Sequence, residues 1–241
     1  MKKLILLFIG FLPLNLCAQN DQGLTNHKIY LDILGHSKDS LYSKILLKYN
    51  DYISGHHSDF KVQIERCRFI TNAYYDYSED YNPKYEESEQ CSRDLANRFP
   101  NTPEVLLFRA ESLYGDSAIV FLTKVKSKMD VAPAAWENFS WKVYESLAKS
   151  YQKDSSRLAI NCGLRAMKEN DTLDLTLLIG KLYKGINSNK RAIEMLSSKL
   201  DKKQEPWELN QKGKLLLELG ATDKAIQAFN QVSRSFCLPT R

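Results

Sequence analysis

The chain has 241 residues, enough for one compact domain or one array of repeats. Its 34 basic and 29 acidic residues give a formal net charge of +5, which is too balanced to predict a nucleic-acid partner. Beyond the N-terminal apolar run, no segment has the composition of a membrane span.

The first predicted element is a secretory signal peptide over residues 1–18. Two lysines precede an apolar run over residues 4–16, which is shorter than the roughly 20 residues that a spanning helix needs. We expect cleavage before Gln19 and export of the mature chain, which would be periplasmic or secreted. Cys17 leaves open an outer-membrane lipoprotein, the only expected contact with a membrane, although the leucine before it is not the small residue of such sites.

Helical periodicity dominates the remaining sequence, and no stretch shows strand alternation between turn signals. The sequence therefore predicts an all-α protein of ten or eleven helices joined by short turns. Residues 19–139 are predicted to form divergent helical hairpins. They comprise two helices within 24–54, a hairpin within 63–99 that turns near residue 80, and a shortened repeat copy at 98–129.

Three copies of one pattern follow, at about 140–172, 173–205 and 206–238. Each copy has a small residue in its first helix, a large residue three positions later, and a small residue in its second helix. These positions are Ala148, Tyr151 and Ala159 in the first copy, Gly180, Tyr183 and Ala192 in the second, and Gly213, Leu216 and Ala225 in the third, where Phe229 follows. Glycine inside a helix costs about 1 kcal/mol relative to alanine, so we expect these small residues to permit close packing of the helices.

This pattern resembles the tetratricopeptide (TPR) repeat. The third copy carries the small and large residues of the family at Gly213, Leu216, Gly220, Ala225 and Phe229. It departs from the family at Trp207, which lies near the tryptophan position, and at Cys237, which replaces the closing proline. The resemblance implies a right-handed α-α superhelix (solenoid) of antiparallel helix hairpins, continuous along the chain.

Repeated lysines form the candidate binding surface. The residue after the first small position is Lys149, Lys181 and Lys214 in the three copies, and the resemblance implies that this position lines a concave groove. Lys184 lies one turn beyond Lys181, and the resemblance places Asn210 upstream in the same groove. These residues would bind a carboxylate-bearing or acidic peptide through charge-assisted hydrogen bonds. The alternative is an ordinary solvated lysine face.

Aromatic residues form a second candidate surface. The tyrosines of segment 73–89 would make a patch for a protein partner, or would pack between hairpins while the neighbouring acids face water. They are Tyr74, Tyr75, Tyr77, Tyr81 and Tyr85. Trp136 and Trp141 allow the same two interpretations, of which a place in the core is favoured.

The cysteines and histidines do not have the spacing of zinc ligands, so no metal is expected. Cys67 and Cys91 lie 13 residues before and 11 residues after the turn near residue 80, so antiparallel helices would bring them close enough for a disulfide. The alternative is that all the cysteines are buried thiols. The pair His56-His57 is predicted to be a solvated turn.

No nucleophile elbow, P-loop, H-E-x-x-H or G-x-G-x-x-G motif occurs, and we expect neither catalysis nor a cofactor. The favoured interpretation is a protein-binding or peptide-binding scaffold or adaptor of the bacterial cell envelope. A second is a secreted enzyme, or a subunit of one, with a polar site within residues 24–110. A third is a structural module that self-associates as a homo-oligomer through its C-terminal edge, where the array would lack a polar end unit.

Overall fold

The computed structural model describes residues 39–76, 84–202 and 204–237. These residues form eleven α-helices, one short 3₁₀-helix and no strand, which confirms the predicted all-α class. The helices are α1 (Asp39–Gly55), α2 (Phe60–Asp76), α3 (Lys84–Arg98), α4 (Pro103–Glu111), α5 (Gly115–Val131), α6 (Ser140–Ser150), α7 (Ser156–Glu169), α8 (Thr176–Gly185), α9 (Asn189–Ser197), α10 (Pro206–Glu218) and α11 (Thr222–Cys237), with the 3₁₀-helix at Pro133–Trp136. The predicted signal peptide and residues 24–38 of the predicted helix pair at 24–54 lie outside the described residues.

The chain divides into two compact units, residues 1–98 and 99–241. The division falls between α3 and α4. The sequence placed a boundary between 139 and 140, where the regular repeats begin, so the predicted divergent region of 19–139 spans both units.

In the first unit, α2 packs against both α1 and α3. Its apolar core contains Ile45 and Tyr49 from α1 and Phe69 from α2. The ring of Tyr42 stacks on Phe69 with 5.2 Å between the ring centroids. The described helices of this unit therefore share buried apolar residues, and Leu95 of α3 is also buried.

In the second unit, each helix packs against its neighbour in the chain. Helices two places apart in the chain also touch, α4 with α6 and α8 with α10. We call α6–α7, α8–α9 and α10–α11 hairpins 1, 2 and 3. The core shared by hairpins 2 and 3 consists of Leu177, Leu196, Leu200, Leu209, Leu216, Ala225 and Ala228. Stacked hairpins bury apolar faces that one hairpin alone would leave in water.

Hairpins 2 and 3 turn in the same way. Asn187 and Gly220, 33 residues apart, both have a left-handed backbone, with φ of 56° and 77°. After each of them the chain bonds back into the helix that has just ended, with Ser188 N donating to Tyr183 O at 2.9 Å in hairpin 2. Asparagine and glycine tolerate this conformation best, which explains their presence at these helix ends.

The glycines inside the first helices lie against large side chains of the second helices. A Cβ atom on Gly180 would lie 2.5 Å from side-chain carbons of Leu196, and one on Gly213 would lie 2.6 Å from the ring of Phe229. Leu196 is fully buried, so it has little room to move away. The glycine therefore allows α8 and α9 to approach closely, at the cost of helix propensity.

We expect Gly180→Ala to destabilise the protein by about 1 kcal/mol, because overpacking against Leu196 outweighs the better helix propensity of alanine. Gly185→Ala is the matched control, since a Cβ atom there meets nothing within 4 Å in the same helix. It should be neutral or slightly stabilising. Urea unfolding followed by tryptophan fluorescence measures both variants. Equal stabilisation by both would show that the close approach of α8 and α9 does not require glycine.

Candidate functional site

The predicted groove lysines lie on the first helices of the three hairpins. Lys149 is on α6, Lys181 on α8 and Lys214 on α10, and all three side chains are exposed. Lys184 and Asn210 are half-buried. Each hairpin therefore has one exposed lysine of the predicted set, at positions that correspond in the repeat.

Two of these lysines are paired within the protein. Lys149 Nζ lies 2.7 Å from Glu145 Oε1, four residues earlier in the same helix. Lys184 forms an ion pair with Glu218, which belongs to the next hairpin. Lys181 and Lys214 form no ion pair with any residue of the described ranges. They are therefore the lysines of this set that are available to an external carboxylate.

A buried lysine, Lys212 of α10, was not singled out by the sequence. Its side chain is fully buried, and Nζ lies 3.2 Å from Asp174 Oδ2, 3.3 Å from Glu208 Oε1 and 2.5 Å from Gln204 Oε1. Gln204 in turn donates to the backbone oxygen of Lys199. This polar network connects hairpin 3 to the segment that leads into hairpin 2.

A repeat-based signal for Lys212 exists in the sequence. The corresponding residues of hairpins 1 and 2 are Leu147 and Ile179, both buried, so the third copy has a lysine where the pattern calls for an apolar side chain. Buried ammonium groups require acceptors around them. Asp174, only one-fifth exposed, is the acceptor supplied by the neighbouring hairpin.

Asp174 also fixes the start of α8. Its Oδ1 accepts hydrogen bonds from Thr176 N at 2.8 Å and from Thr176 Oγ1 at 2.7 Å. Burial alone would raise the pKa of Asp174, but these two hydrogen bonds and Lys212 together hold the pKa below its ordinary value. The carboxylate is therefore charged at neutral pH and is committed to the protein.

A cleft of about 320 Å³ lies where α5, the 3₁₀-helix, α6 and α7 meet. On its walls the guanidinium of Arg165 covers the ring of Tyr144 at 4.6 Å and also bonds to Glu169 at 2.9 Å. Asp130, another wall residue, is paired with Lys126 at 2.6 Å. These charges are matched within each helix, so the cleft is a weaker indication of a ligand than the unpaired lysines.

The N-terminal unit contains a disulfide between Cys67 of α2 and Cys91 of α3, with their Cα atoms 5.6 Å apart. Arg66 Nη1 donates to Cys91 Sγ at 3.0 Å, and Arg66 Nε donates to Asn50 Oδ1 at 2.8 Å. Asn50 belongs to α1, so Arg66 connects the disulfide between α2 and α3 to α1 as well.

The remaining candidates lie on several elements of the fold. His56 and His57 lie on the exposed turn after α1, where the ring of His56 stacks on Tyr52. Trp136 is buried. Burial of the Cys162 thiol raises its pKa, so this thiol is protonated at neutral pH. The side chains of the five tyrosines of segment 73–89 lie outside the described residues. In the described ranges, no group of three or more His, Cys, Asp or Glu residues is placed to hold a metal ion.

The C-terminal helix α11 exposes mainly polar groups. Up to residue 233, its exposed side chains are Thr222, Asp223, Lys224, Ile226, Gln227, Asn230 and Ser233. A polar outer face is what the last unit of a repeat array requires. The described part of this face therefore offers little apolar surface for self-association, which stays a prediction.

No protein-family model matches the chain, and no curated protein matches it in sequence. Among the residues that the structure describes, no helix is both long enough and apolar enough to cross a bilayer.

Proposed function

We propose that the protein is a non-catalytic scaffold or adaptor that binds a peptide segment of a partner protein. The observation that carries this proposal is the exposure of Lys181 and Lys214, at corresponding positions of adjacent hairpins, without an ion pair inside the described ranges. Lysines held on packed helices, with their charges unneutralised, favour a carboxylate-bearing ligand.

The finer fold is part of this proposal. The 33-residue recurrence of Gly180 with Gly213 and of Asn187 with Gly220 supports TPR-like hairpins in a right-handed superhelix. An experimental structure of residues 19–241 with another handedness would overturn this part. Export to the bacterial envelope rests on the composition of residues 1–18, and mass spectrometry of the mature N-terminus tests it.

The proposed function is tested by affinity capture from bacterial envelope extract with residues 19–241 as bait. We expect Lys181→Glu/Lys214→Glu to weaken retention of the partner at least about tenfold, because two charge-assisted contacts become repulsive. The matched control is Lys190→Glu/Lys224→Glu, which makes the same charge change on exposed lysines of the second helices.

Three outcomes separate the explanations. Loss in the first variant alone supports binding at Lys181 and Lys214. Equal loss in both variants would show an effect of bulk charge, and retention by both would place the partner on another surface. Circular dichroism confirms that each variant keeps its helical content.

A further inference from the structure

An exposed tryptophan lies on the same side of α10 as Lys214. Trp207, in the first turn of that helix, is 64% exposed. Residues seven apart in an α-helix lie on nearly the same side, two turns and about 10 Å apart along the axis. Trp207 and Lys214 therefore form one strip that starts with an indole and continues to a free ammonium group.

Two contacts align this strip with α8. Asp174, two residues before α8, meets Lys212, and Lys184 near the end of α8 meets Glu218 at the end of α10. The two helices therefore run in the same direction, side by side. Lys181 lies one turn before Lys184, and Lys214 lies one turn before Glu218, so the two free lysines are level on adjacent helices. Packed helix axes are about 8–10 Å apart, close enough for both lysines to reach one acidic group.

Three acids of this region already contact lysines other than Lys181 and Lys214. Glu218 is held by Lys184, and both Asp174 and Glu208 are held by Lys212. None of these three acids pairs with Lys181 or Lys214, and an exposed indole lies about 10 Å from Lys214 along the helix axis. An exposed tryptophan beside a charged group is typical of the anchoring positions of peptide interfaces.

We propose that α8 and α10 bind an extended acidic peptide with a large apolar side chain on Trp207 and a carboxylate between Lys181 and Lys214. In a polyproline-II segment, residues three apart point to the same side and lie about 9 Å apart, which matches the strip. The recognised sequence is thus an apolar residue followed or preceded, three positions away, by Asp or Glu. This inference rests on the proposed function and names the chemistry of the partner.

The test uses three fluorescein-labelled peptides of equal length with the same two adjacent Asp residues. The first has Phe three positions before an Asp, the second has the same composition with Phe next to the Asp pair, and the third has Ser in place of Phe. Fluorescence anisotropy gives their affinities for residues 19–241, for Trp207→Ala and for Lys181→Glu/Lys214→Glu. Ile226→Ala, which truncates another exposed apolar residue of hairpin 3, is the matched control.

We expect the first peptide to bind wild-type protein roughly tenfold more tightly than the other two, the size of effect that one aromatic anchor gives. Trp207→Ala should remove this preference and leave binding of the serine peptide unchanged, whereas the double lysine variant should lose all three peptides. Ile226→Ala should behave like wild type.

The remaining outcomes overturn the inference in distinguishable ways. Equal binding of all three peptides, unaffected by Trp207→Ala, would remove the apolar subsite and leave the acidic-peptide function standing. No binding of any peptide to wild type at millimolar concentration would remove both. Conversion of an oligomer to a monomer by Trp207→Ala in sedimentation would show that a second copy of the chain covers this strip.

Discussion

Asp174→Ala is expected to destabilise the unit of residues 99–241 by about 3 kcal/mol. The substitution removes the carboxylate at 3.2 Å from the fully buried Nζ of Lys212 and leaves the lysine with Glu208 and Gln204. Removing one partner of a buried ion pair is costly because the remaining charge stays out of water. Urea unfolding followed by tryptophan fluorescence measures the change, since Trp136, Trp141 and Trp207 all belong to this unit.

Substitution of Lys212, the other member of the ion pair, should change the free energy of unfolding much less than Asp174→Ala does. Lys212→Ile places in α10 the kind of side chain that hairpins 1 and 2 have at this position, and exchange of a buried charge for an apolar residue is often neutral or stabilising. We expect a change within about 1 kcal/mol, and a much smaller effect of Asp174→Ala in that background. Equal costs of Asp174→Ala with and without Lys212 would show that the ion pair contributes nothing.

Asp174→Asn separates the charge from the helix start, because the amide oxygen can still accept from Thr176. The pH dependence follows from the lowered pKa of Asp174. The unfolded chain binds this proton more readily than the folded protein, so the stabilisation is complete above about pH 4 and is lost as the pH falls below it. In Asp174→Asn this part of the acid sensitivity should be absent.

Removal of the disulfide is expected to destabilise the unit of residues 1–98 by about 3 to 4 kcal/mol. Cys67 and Cys91 close a loop with a sequence separation of 24. Opening this loop raises the conformational entropy of the unfolded chain and thereby lowers its free energy by about 3 to 4 kcal/mol. The measurement is hydrogen exchange of Cys67→Ala/Cys91→Ala, read by mass spectrometry on peptides from α1, α2 and α3.

We expect faster exchange throughout these three helices and unchanged exchange in hairpins 1 to 3. Cys162→Ala is the control, since Cys162 is a free thiol of the other unit. Protection of α1 to α3 as strong as in the wild type would mean that helix packing alone holds this unit together.

Local features of the fold were predictable because turn residues and helical periodicity act over a few positions. Pro103 and Pro206 begin α4 and α10, where a missing N–H group costs nothing. The pairing of Lys149 with Glu145 also follows from their spacing of four in one helix. In these cases the residues that decide the structure are close in sequence.

Contacts between hairpins were not predictable in the same way. A lysine in sequence is expected at the surface, and the burial of Lys212 depends in part on Asp174, which lies 38 residues earlier. The pairing of Lys184 with Glu218 depends likewise on how α8 aligns with α10. The candidate site was therefore predicted as a set of lysines, and the alignment of the hairpins decided that Lys184 is paired.

The buried lysine has a consequence for the order of the hairpins. The residue that corresponds to Asp174 is Lys142 in hairpin 1 and Trp207 in hairpin 3, so hairpin 2 alone of the three supplies an acid at this position. A chain in which hairpin 3 were duplicated, or followed hairpin 1 directly, would bury Lys212 beside an indole or another ammonium group. The acid therefore favours the observed order of hairpins 2 and 3, because Lys212 would otherwise keep only Glu208 and Gln204 as partners.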